Sequence, residues 1–292
     1  MQQSEPDRCV ELRDGRRIAM AEFGTAAGIP VLYFHGFPAS RLEGQLVHRA
    51  AVRQRVRLVA LDRPGFGCSD FRLRALADWP ADVIEVADAL GLKRFAILGL
   101  SGGAPFTLAC AANLAARVSA IAIISGLGMT SVAEDFARLE VFARMSFRLA
   151  RSAPALSRTV NRALAAVLRW RPNLLNTLLA AGMSAADRVV LADPEVDATL
   201  AASLREALRA GSKGASHELA LLAQPWGFDV AAVRVPCYLW HGEQDCTVPV
   251  EMARRLAELI PGCRATFLRD EGHFSLPLRH ADAVLKTLLE HK

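Results

Sequence analysis

Four short, continuously apolar runs alternate with segments of helical spacing in the first half of the chain. The runs are residues 31–34, 56–62, 95–100 and 118–125. They fit strands that are buried on both faces, because they lack the polar alternation of a half-exposed strand. Such strands occur in parallel sheets whose crossover helices cover both sides. The pattern therefore predicts an α/β fold built on a mostly parallel sheet.

The alternation stops in the middle of the chain and returns near its end. Residues 127–226 are rich in Ala, Leu and Arg at helical spacing and show no convincing strand. After them come a strand at 235–242, a helix at 250–259, a strand at 264–269 and a last helix at about 278–290. We therefore expect one core, residues 1–126 and 227–292, interrupted by a helical cap at 127–226.

Composition excludes several classes of protein. A hydrophobic fraction of 52% with 22% charged residues is ordinary for a globular domain and far from the signature of disorder. The net charge of +5 comes from dispersed arginines rather than from basic runs with interleaved aromatics, so no nucleic-acid partner is expected. No apolar run of about 18 residues indicates a membrane span, and no secretory signal is evident. We expect a cytoplasmic protein, with a homodimer left open.

The sharpest motif is the pentapeptide Gly99-Leu100-Ser101-Gly102-Gly103, which has the form G-x-S-x-G. It lies directly after a predicted strand and directly before a predicted helix. A turn this tight forces its serine into a strained conformation and requires small residues on both sides. The N-terminus of the following helix favours developing negative charge. The motif predicts Ser101 as a nucleophile, although a glycine-rich turn with an incidental serine would share the pattern.

A serine hydroxyl needs a base, and the base usually needs an acid to orient it. His273 lies between the last strand and the last helix, and Asp245 follows the strand before it, so both should lie with Ser101 at the carboxyl edge of the sheet. The chain order of nucleophile, acid and base is the one that this motif requires. Glu243 is the second candidate for the acid, and His217 stays open as a substrate contact.

Acyl transfer also needs hydrogen-bond donors for the oxyanion. The backbone N–H of Gly102 is the expected first donor, because it follows the nucleophile. The second would be the N–H of Phe37, in the turn His35-Gly36-Phe37-Pro38 after an earlier buried strand. Because these donors belong to the backbone, the predicted oxyanion hole does not depend on either side chain.

These motifs together make the chain resemble the α/β-hydrolase superfamily over nearly its full length. The matching segments are HGFP, LDRPGFGCSD, GLSGG, GEQDCTVP and EGHFS, in the family's order. The resemblance implies an eight-stranded, mostly parallel sheet flanked by helices, with a helical cap over the site. It also implies that Ser101 is the nucleophile, Asp245 the acid, His273 the base, and Phe37 and Gly102 the oxyanion donors. Relatives that open epoxides or displace halide carry aspartate at the position of the nucleophile, so a serine at position 101 argues against both activities.

The predicted function is hydrolysis of a carboxylic ester, lactone or thioester, a small-molecule substrate, through an acyl-enzyme. A proline-releasing aminopeptidase and a C–C bond hydrolase would use the same machinery, and a non-catalytic ligand receptor would share the scaffold. Turnover of bound ligand separates the receptor from the enzymes. No metal cluster, phosphate-binding loop or C-x-x-C pair indicates a cofactor.

The sequence indicates less about substrate specificity. Between positions 138 and 171 there are eight arginines and a single acid, Glu140. The solvated face of surface helices explains them better than an anionic substrate or a membrane surface does. The candidate substrate contacts are apolar residues that ordinary core packing would explain equally well: Phe37, Leu100, Met129, Phe136 and Phe274.

Overall fold

The computed structural model describes residues 8–171 and 182–291, and within them eight strands form one sheet. The strand order is β1-β2-β4-β3-β5-β6-β7-β8. Strand β2 runs antiparallel to both of its neighbours, and the pairs from β4 through β8 are parallel. The strands are β1 (Arg8–Glu11), β2 (Arg17–Gly24), β3 (Ile29–Phe34), β4 (Val56–Leu61), β5 (Phe95–Leu100), β6 (Val118–Ile124), β7 (Cys237–Gly242) and β8 (Arg264–Leu268).

The helices of the described residues fall into those of the sheet domain and those between β6 and β7. The first group is α1 (His48–Arg53), α2 (Trp79–Ala89), α3 (Ala104–Asn113), α10 (Val250–Leu259) and α11 (Ser275–Leu288). The second group is α4 (Ala133–Arg138), α5 (Val141–Ser152), α6 (Pro154–Trp170), α7 (Ala185–Leu191), α8 (Pro194–Ala207) and α9 (Lys213–Leu222). None of the described helices is long and apolar enough to cross a membrane.

The predicted eight-stranded, mostly parallel sheet with helices on both faces is confirmed. Strand residues alternate between two buried clusters: Leu32 and Phe34 of β3 face α2, α3 and α10, and Val31 and Tyr33 face α1 and α11. Because both faces of the central strands are covered, their apolar runs are continuous in sequence.

One helix boundary differs from the prediction. Helix α11 begins at Ser275, not near residue 278, so Pro277 lies inside its first turn. Proline is tolerated there, because the N–H groups of a first turn have no partner within the helix.

Buried ion pairs join the loops of the sheet domain to the helices between β6 and β7. The guanidinium of Arg63 forms two hydrogen bonds, of 2.7 and 2.6 Å, with the carboxylate of Glu218 on α9, and both side chains are fully buried. Arg74 donates to the same carboxylate at 3.0 Å. A second group joins Arg41 to Asp62 and to Glu206 of α8. Such contacts hold this part of the fold through charge as well as through apolar packing.

We predict that Glu218→Gln lowers the free energy of unfolding by about 3–5 kcal/mol, because it leaves two buried guanidinium groups without their counterion. Urea denaturation followed by circular dichroism measures the loss. The matched control is Glu195→Gln, which breaks an exposed pair with Arg49 and should cost less than about 1 kcal/mol. Equal midpoints for the two variants would contradict the prediction.

Candidate active site

Ser101 lies on a strained turn between β5 and α3. Its φ is +51°, in the left-handed region that residues other than glycine rarely adopt. The turn is one short 3₁₀ segment, Ser101–Gly103, and the Ser101 carbonyl accepts a hydrogen bond of 3.0 Å from the N–H of Leu127, just past β6. The side chain is partly exposed, whereas the residues on both sides of it are buried. The turn therefore presents the hydroxyl at the carboxyl edge of the sheet.

The two outer glycines of the pentapeptide are required by close approaches. A Cβ on Gly99 would lie 2.2 Å from the hydroxyl of Thr107, and one on Gly103 would lie 2.3 Å from the carbonyl oxygen of Phe34. Real Cβ atoms do not approach other atoms so closely, so a side chain at Gly99 would push β5 and α3 apart, and one at Gly103 would push the turn away from the end of β3. The spacing of small residues that the sequence suggested thus has a steric cause.

The three residues predicted as nucleophile, base and acid are brought together. His273 Nε2 lies 3.1 Å from Ser101 Oγ, and His273 Nδ1 lies 2.7 Å from Asp245 Oδ2. The other oxygen of Asp245 accepts hydrogen bonds of 2.8 Å from the N–H groups of Thr247 and Val248. The carboxylate is thereby fixed in position on one side and faces the imidazole on the other.

The surroundings of this pair favour its charged form. Burial acts to lower the pKa of His273, but Asp245, assisted by the carboxylates of Asp187 and Glu43, outweighs burial and raises that pKa above its usual 6.5. Burial acts to raise the pKa of Asp245, but His273 and His241 outweigh it and hold that pKa below its ordinary value. Both shifts stabilise an imidazolium next to a carboxylate, which is the state that a proton taken from Ser101 would create.

The alternative candidates, Glu243 and His217, have partners outside the hydrogen bonds that join Ser101, His273 and Asp245. Glu243 forms an ion pair of 2.9 Å with Arg254 on α10. His217 Nε2 lies 3.1 Å from the N–H and 2.9 Å from the carbonyl oxygen of Arg74. His241 is buried beside Asp245, with its Nε2 2.9 Å from the carbonyl of Val248.

The two expected oxyanion donors are neighbours. A Cβ on Gly102 would lie 3.2 Å from the backbone nitrogen of Phe37, so the two residues that carry the expected donors are in close contact. The turn that carries Phe37 is fixed by charged groups: Arg63 donates to the carbonyls of His35 and Gly36 at 2.6 and 3.0 Å. Backbone donors held in advance are the arrangement that stabilises an oxyanion without reorganisation during the reaction.

Comparison with known proteins identifies the family of this chain. Residues 29–279 match the family described as the alpha/beta hydrolase fold. The chain belongs to this family. It is 24% identical over 290 residues to 2-hydroxymuconate semialdehyde hydrolase of Pseudomonas putida, which covers 92% of this chain and 90% of that protein.

Solved structures of similar fold include two enzymes of the same architecture. One is a thermophilic esterase from Thermogutta terrifontis, with a TM-score of 0.68, 20% identity, and coverage of 98% of this chain and 99% of that one. The other is the enol-lactonase from Burkholderia xenovorans LB400, with a TM-score of 0.67, 19% identity, and coverage of 97% and 99%. At these identities the likeness shows the fold of this α/β hydrolase.

Glu43, a buried carboxylate of this α/β hydrolase that bonds to the turn after β3, is not indicated by any motif in the sequence. Its Oε2 accepts hydrogen bonds from the hydroxyl of Tyr33 at 2.8 Å and from the N–H of Gly36 at 2.7 Å. Burial raises the pKa of Glu43 above its ordinary value, and those two donors only partly offset burial. Glu43 lies in a short 3₁₀ helix, Arg41–Val47, and no local signal distinguishes it from a surface glutamate.

The candidate substrate contacts divide into two groups. Phe37, Met129 and Phe274 are partly exposed, as Ser101 is, and the ring of Phe274 lies edge-on to that of His273 with centroids 5.1 Å apart. Leu100 is buried in the sheet, and Phe136 is buried with the guanidinium of Arg151 4.9 Å from its ring centre. Contact with substrate stays a prediction for all five, and exposure favours the first three.

We predict that Gly103→Ala slows the labelling of Ser101 by a fluorophosphonate by about 10- to 100-fold, because the turn must shift to relieve the contact with Phe34. It should also lower stability by about 1–3 kcal/mol. Mass spectrometry of the adduct over time measures the labelling rate. As a control, Gly262→Ala has φ +67° and open space around its Cβ, so it should lose stability but label at the wild-type rate. Equal labelling of both variants would contradict the prediction.

Proposed function

We propose that this α/β hydrolase is a serine hydrolase that cleaves a carboxylic ester, including a lactone or thioester, through an acyl-enzyme. The observation that carries the proposal is the continuous chain of hydrogen bonds from Ser101 through His273 to Asp245, with the serine on a strained turn. Position, orientation and protonation state are the three requirements for activating a weak hydroxyl nucleophile.

The proposed reaction has two halves. Ser101 Oγ attacks the carbonyl carbon while His273 Nε2 takes its proton, and the N–H groups of Phe37 and Gly102 bind the oxyanion of the tetrahedral intermediate. The intermediate collapses, His273 returns the proton to the leaving oxygen or sulfur, and the acyl group stays on Ser101. Water then attacks the acyl-enzyme with His273 as base, which releases the acid and restores the hydroxyl.

C–C bond hydrolysis is the second candidate. The similarity to 2-hydroxymuconate semialdehyde hydrolase favours testing it, and the esterase and the enol-lactonase of similar fold are consistent with the first candidate. Both reactions would use the same triad and oxyanion donors, so the difference would lie in the substrate.

We also propose that residues 127–226 act as a cap over the site and set its specificity. Supporting this, Phe66, in the loop after β4, belongs to one buried apolar cluster with residues of α6, α8 and α9 and the residue just after α8: Ala165, Leu168, Leu204, Ala207, Leu208 and Ala215. Met129, at the start of this stretch, is partly exposed. The cap proposal predicts that substitutions on its site-facing residues change KM and chain-length preference.

The first test is burst kinetics with p-nitrophenyl esters of graded acyl length, together with fluorophosphonate labelling. We expect turnover and an adduct on Ser101, with both lost in Ser101→Ala, where kcat should fall by about 10³-fold or more. Ser152→Ala, an exposed serine on α5, is the matched control and should keep wild-type activity.

The outcomes of this test separate the candidates. Wild-type turnover by Ser101→Ala would contradict the proposed nucleophile. Labelling of Ser101 without hydrolysis of any ester would point to C–C cleavage, and the absence of both labelling and turnover would favour a ligand receptor.

The pH dependence tests the base and the acid. Because the pKa of His273 is raised and the base works only when neutral, kcat/KM should fall as the pH drops through a value above 6.5. In Asp245→Asn the counterion is lost, so the acid limb should move to lower pH while the plateau kcat falls by about 10³- to 10⁴-fold. Glu243→Gln, which alters only a surface pair, should leave the limb in place. An unchanged limb in Asp245→Asn would contradict the role of Asp245.

A further inference from the structure

We propose that Asp187, on α7 between β6 and β7, is a positioning residue for the base: its carboxylate fixes the loop that carries His273. The inference rests on the proposed function, since it concerns how His273 is held against Ser101. Asp187 lies 86 residues before His273 in the chain, and neither motif nor spacing pointed to it.

The carboxylate of Asp187 accepts hydrogen bonds from three consecutive backbone N–H groups. Its Oδ2 accepts from the N–H of His273 at 2.9 Å, and its Oδ1 accepts from those of Phe274 and Ser275 at 2.8 Å each. The residue is only 1% exposed, so these contacts replace hydration entirely. Hydrogen bonds from N–H groups to a buried carboxylate are charge-assisted and stronger than those between neutral groups.

These N–H groups belong to the start of α11, where a helix has donors without intrahelical partners. A residue at the helix boundary usually satisfies one of them with its own side chain, but the boundary residue here is Phe274, whose side chain makes no such bond. Asp187 takes that role from another helix. One carboxylate of α7 therefore binds the free N–H groups at the start of α11 and also sets the position of the base.

The loop before His273 has space for the carboxylate of Asp187 because residue 272 is glycine. A Cβ on Gly272 would lie 2.2 Å from Asp187 Oδ2 and 2.3 Å from the hydroxyl of Ser184, which itself accepts the N–H of Asp187 at 3.1 Å. Residue 272 must therefore be glycine for α7 and the loop to approach this closely. On the other side, the hydroxyl of Ser125, just past β6, donates to the carbonyl of His273 at 3.2 Å.

Every polar group of His273 therefore has a partner. Its N–H is bound by Asp187 and its carbonyl by Ser125, while its two ring nitrogens face Asp245 and Ser101. The ring can keep 3.1 Å from the Ser101 hydroxyl only while its own backbone stays in place. A shift of about 1 Å in a reacting group can cost about 100-fold in rate, so anchoring the backbone matters for the chemistry.

Asp187 also acts through its charge. The charged and titratable groups around His273 are Asp245, Asp187, Glu43 and His241. Burial lowers the pKa of His273, and after Asp245 the carboxylate of Asp187 is the next group that raises it. Loss of this charge should therefore lower the pKa of the base in addition to freeing its backbone.

The test is Asp187→Asn, assayed in the full-length protein. The amide keeps one acceptor oxygen for the start of α11 but turns the other into a donor, which cannot accept the remaining N–H. We expect a folded protein in which kcat for a p-nitrophenyl ester and the rate of fluorophosphonate labelling of Ser101 both fall by about 10- to 100-fold. KM should change little, and the acid limb of kcat/KM should move to lower pH.

The matched control is Asp193→Asn. Asp193 is an exposed carboxylate that caps α8 by accepting the N–H of Glu195 at 2.8 Å, so it makes the same kind of contact away from His273. This variant should keep the wild-type kcat, labelling rate and acid limb.

Support requires all of the changes expected of Asp187→Asn. A wild-type kcat, an unmoved acid limb or a loss confined to KM would overturn the positioning role. Unfolding of Asp187→Asn below the assay temperature would also overturn it, by assigning Asp187 to the stability of the fold. These failures are distinguishable from failure of the proposed function, which would show as wild-type turnover in Ser101→Ala.

Discussion

The parallel register of β5 to β8 is the constraint on which the site depends. The four strands are in register, with one residue of each lying side by side: Leu100, Ile124, Trp240 and Thr266. Because the strands are parallel, all four end at the same edge of the sheet. Ser101 follows β5 immediately, and the loops after β7 and β8 supply Asp245 and His273. The side chains of Ser101 and His273, 172 positions apart in the chain, thereby come within 3.1 Å of each other. Their distance is set by the sheet, which explains why no local segment contains the site.

Past the ends of the strands the loops have no strand pairing to hold them. Buried charged side chains fix their backbone instead. Glu43 accepts the N–H of Gly36, and Arg63 binds the carbonyls of the same turn. Asp187 accepts hydrogen bonds from the N–H groups of His273, Phe274 and Ser275. A charged side chain without a partner is costly to bury, but a fully bonded one specifies a single position for the backbone around it. The loops at this edge can therefore be both irregular and well defined.

The sequence predicted the sheet well, and it pointed to the three side chains that the structure brings together, because strand runs, glycine positions and motif order are local signals. The roles of these three residues in catalysis stay a prediction. The sequence did not predict the residues that bond to the loops around them. Ser184 and Asp187 have the spacing of an ordinary helix N-terminus, where an acidic residue in the first turn needs no further explanation. Only the approach of α7 to Gly272 makes that carboxylate a partner of His273. Arg151 is a similar case: it fits a solvated stripe, but it donates to the carbonyls of Thr130 and Ala223 and stacks on Phe136.

The helices between β6 and β7 contact the site from two directions. Through Glu218 on α9 they hold Arg63, which fixes the turn of the expected oxyanion donor Phe37. Through Asp187 on α7 they hold the loop of His273. The segment that we propose as the cap is thus also bonded to the turn of Phe37 and to the loop of His273. If it selects the substrate as proposed, selection and rate are physically coupled, because a shift in these helices moves the groups that would act in the transition state as well as the walls that would contact the substrate.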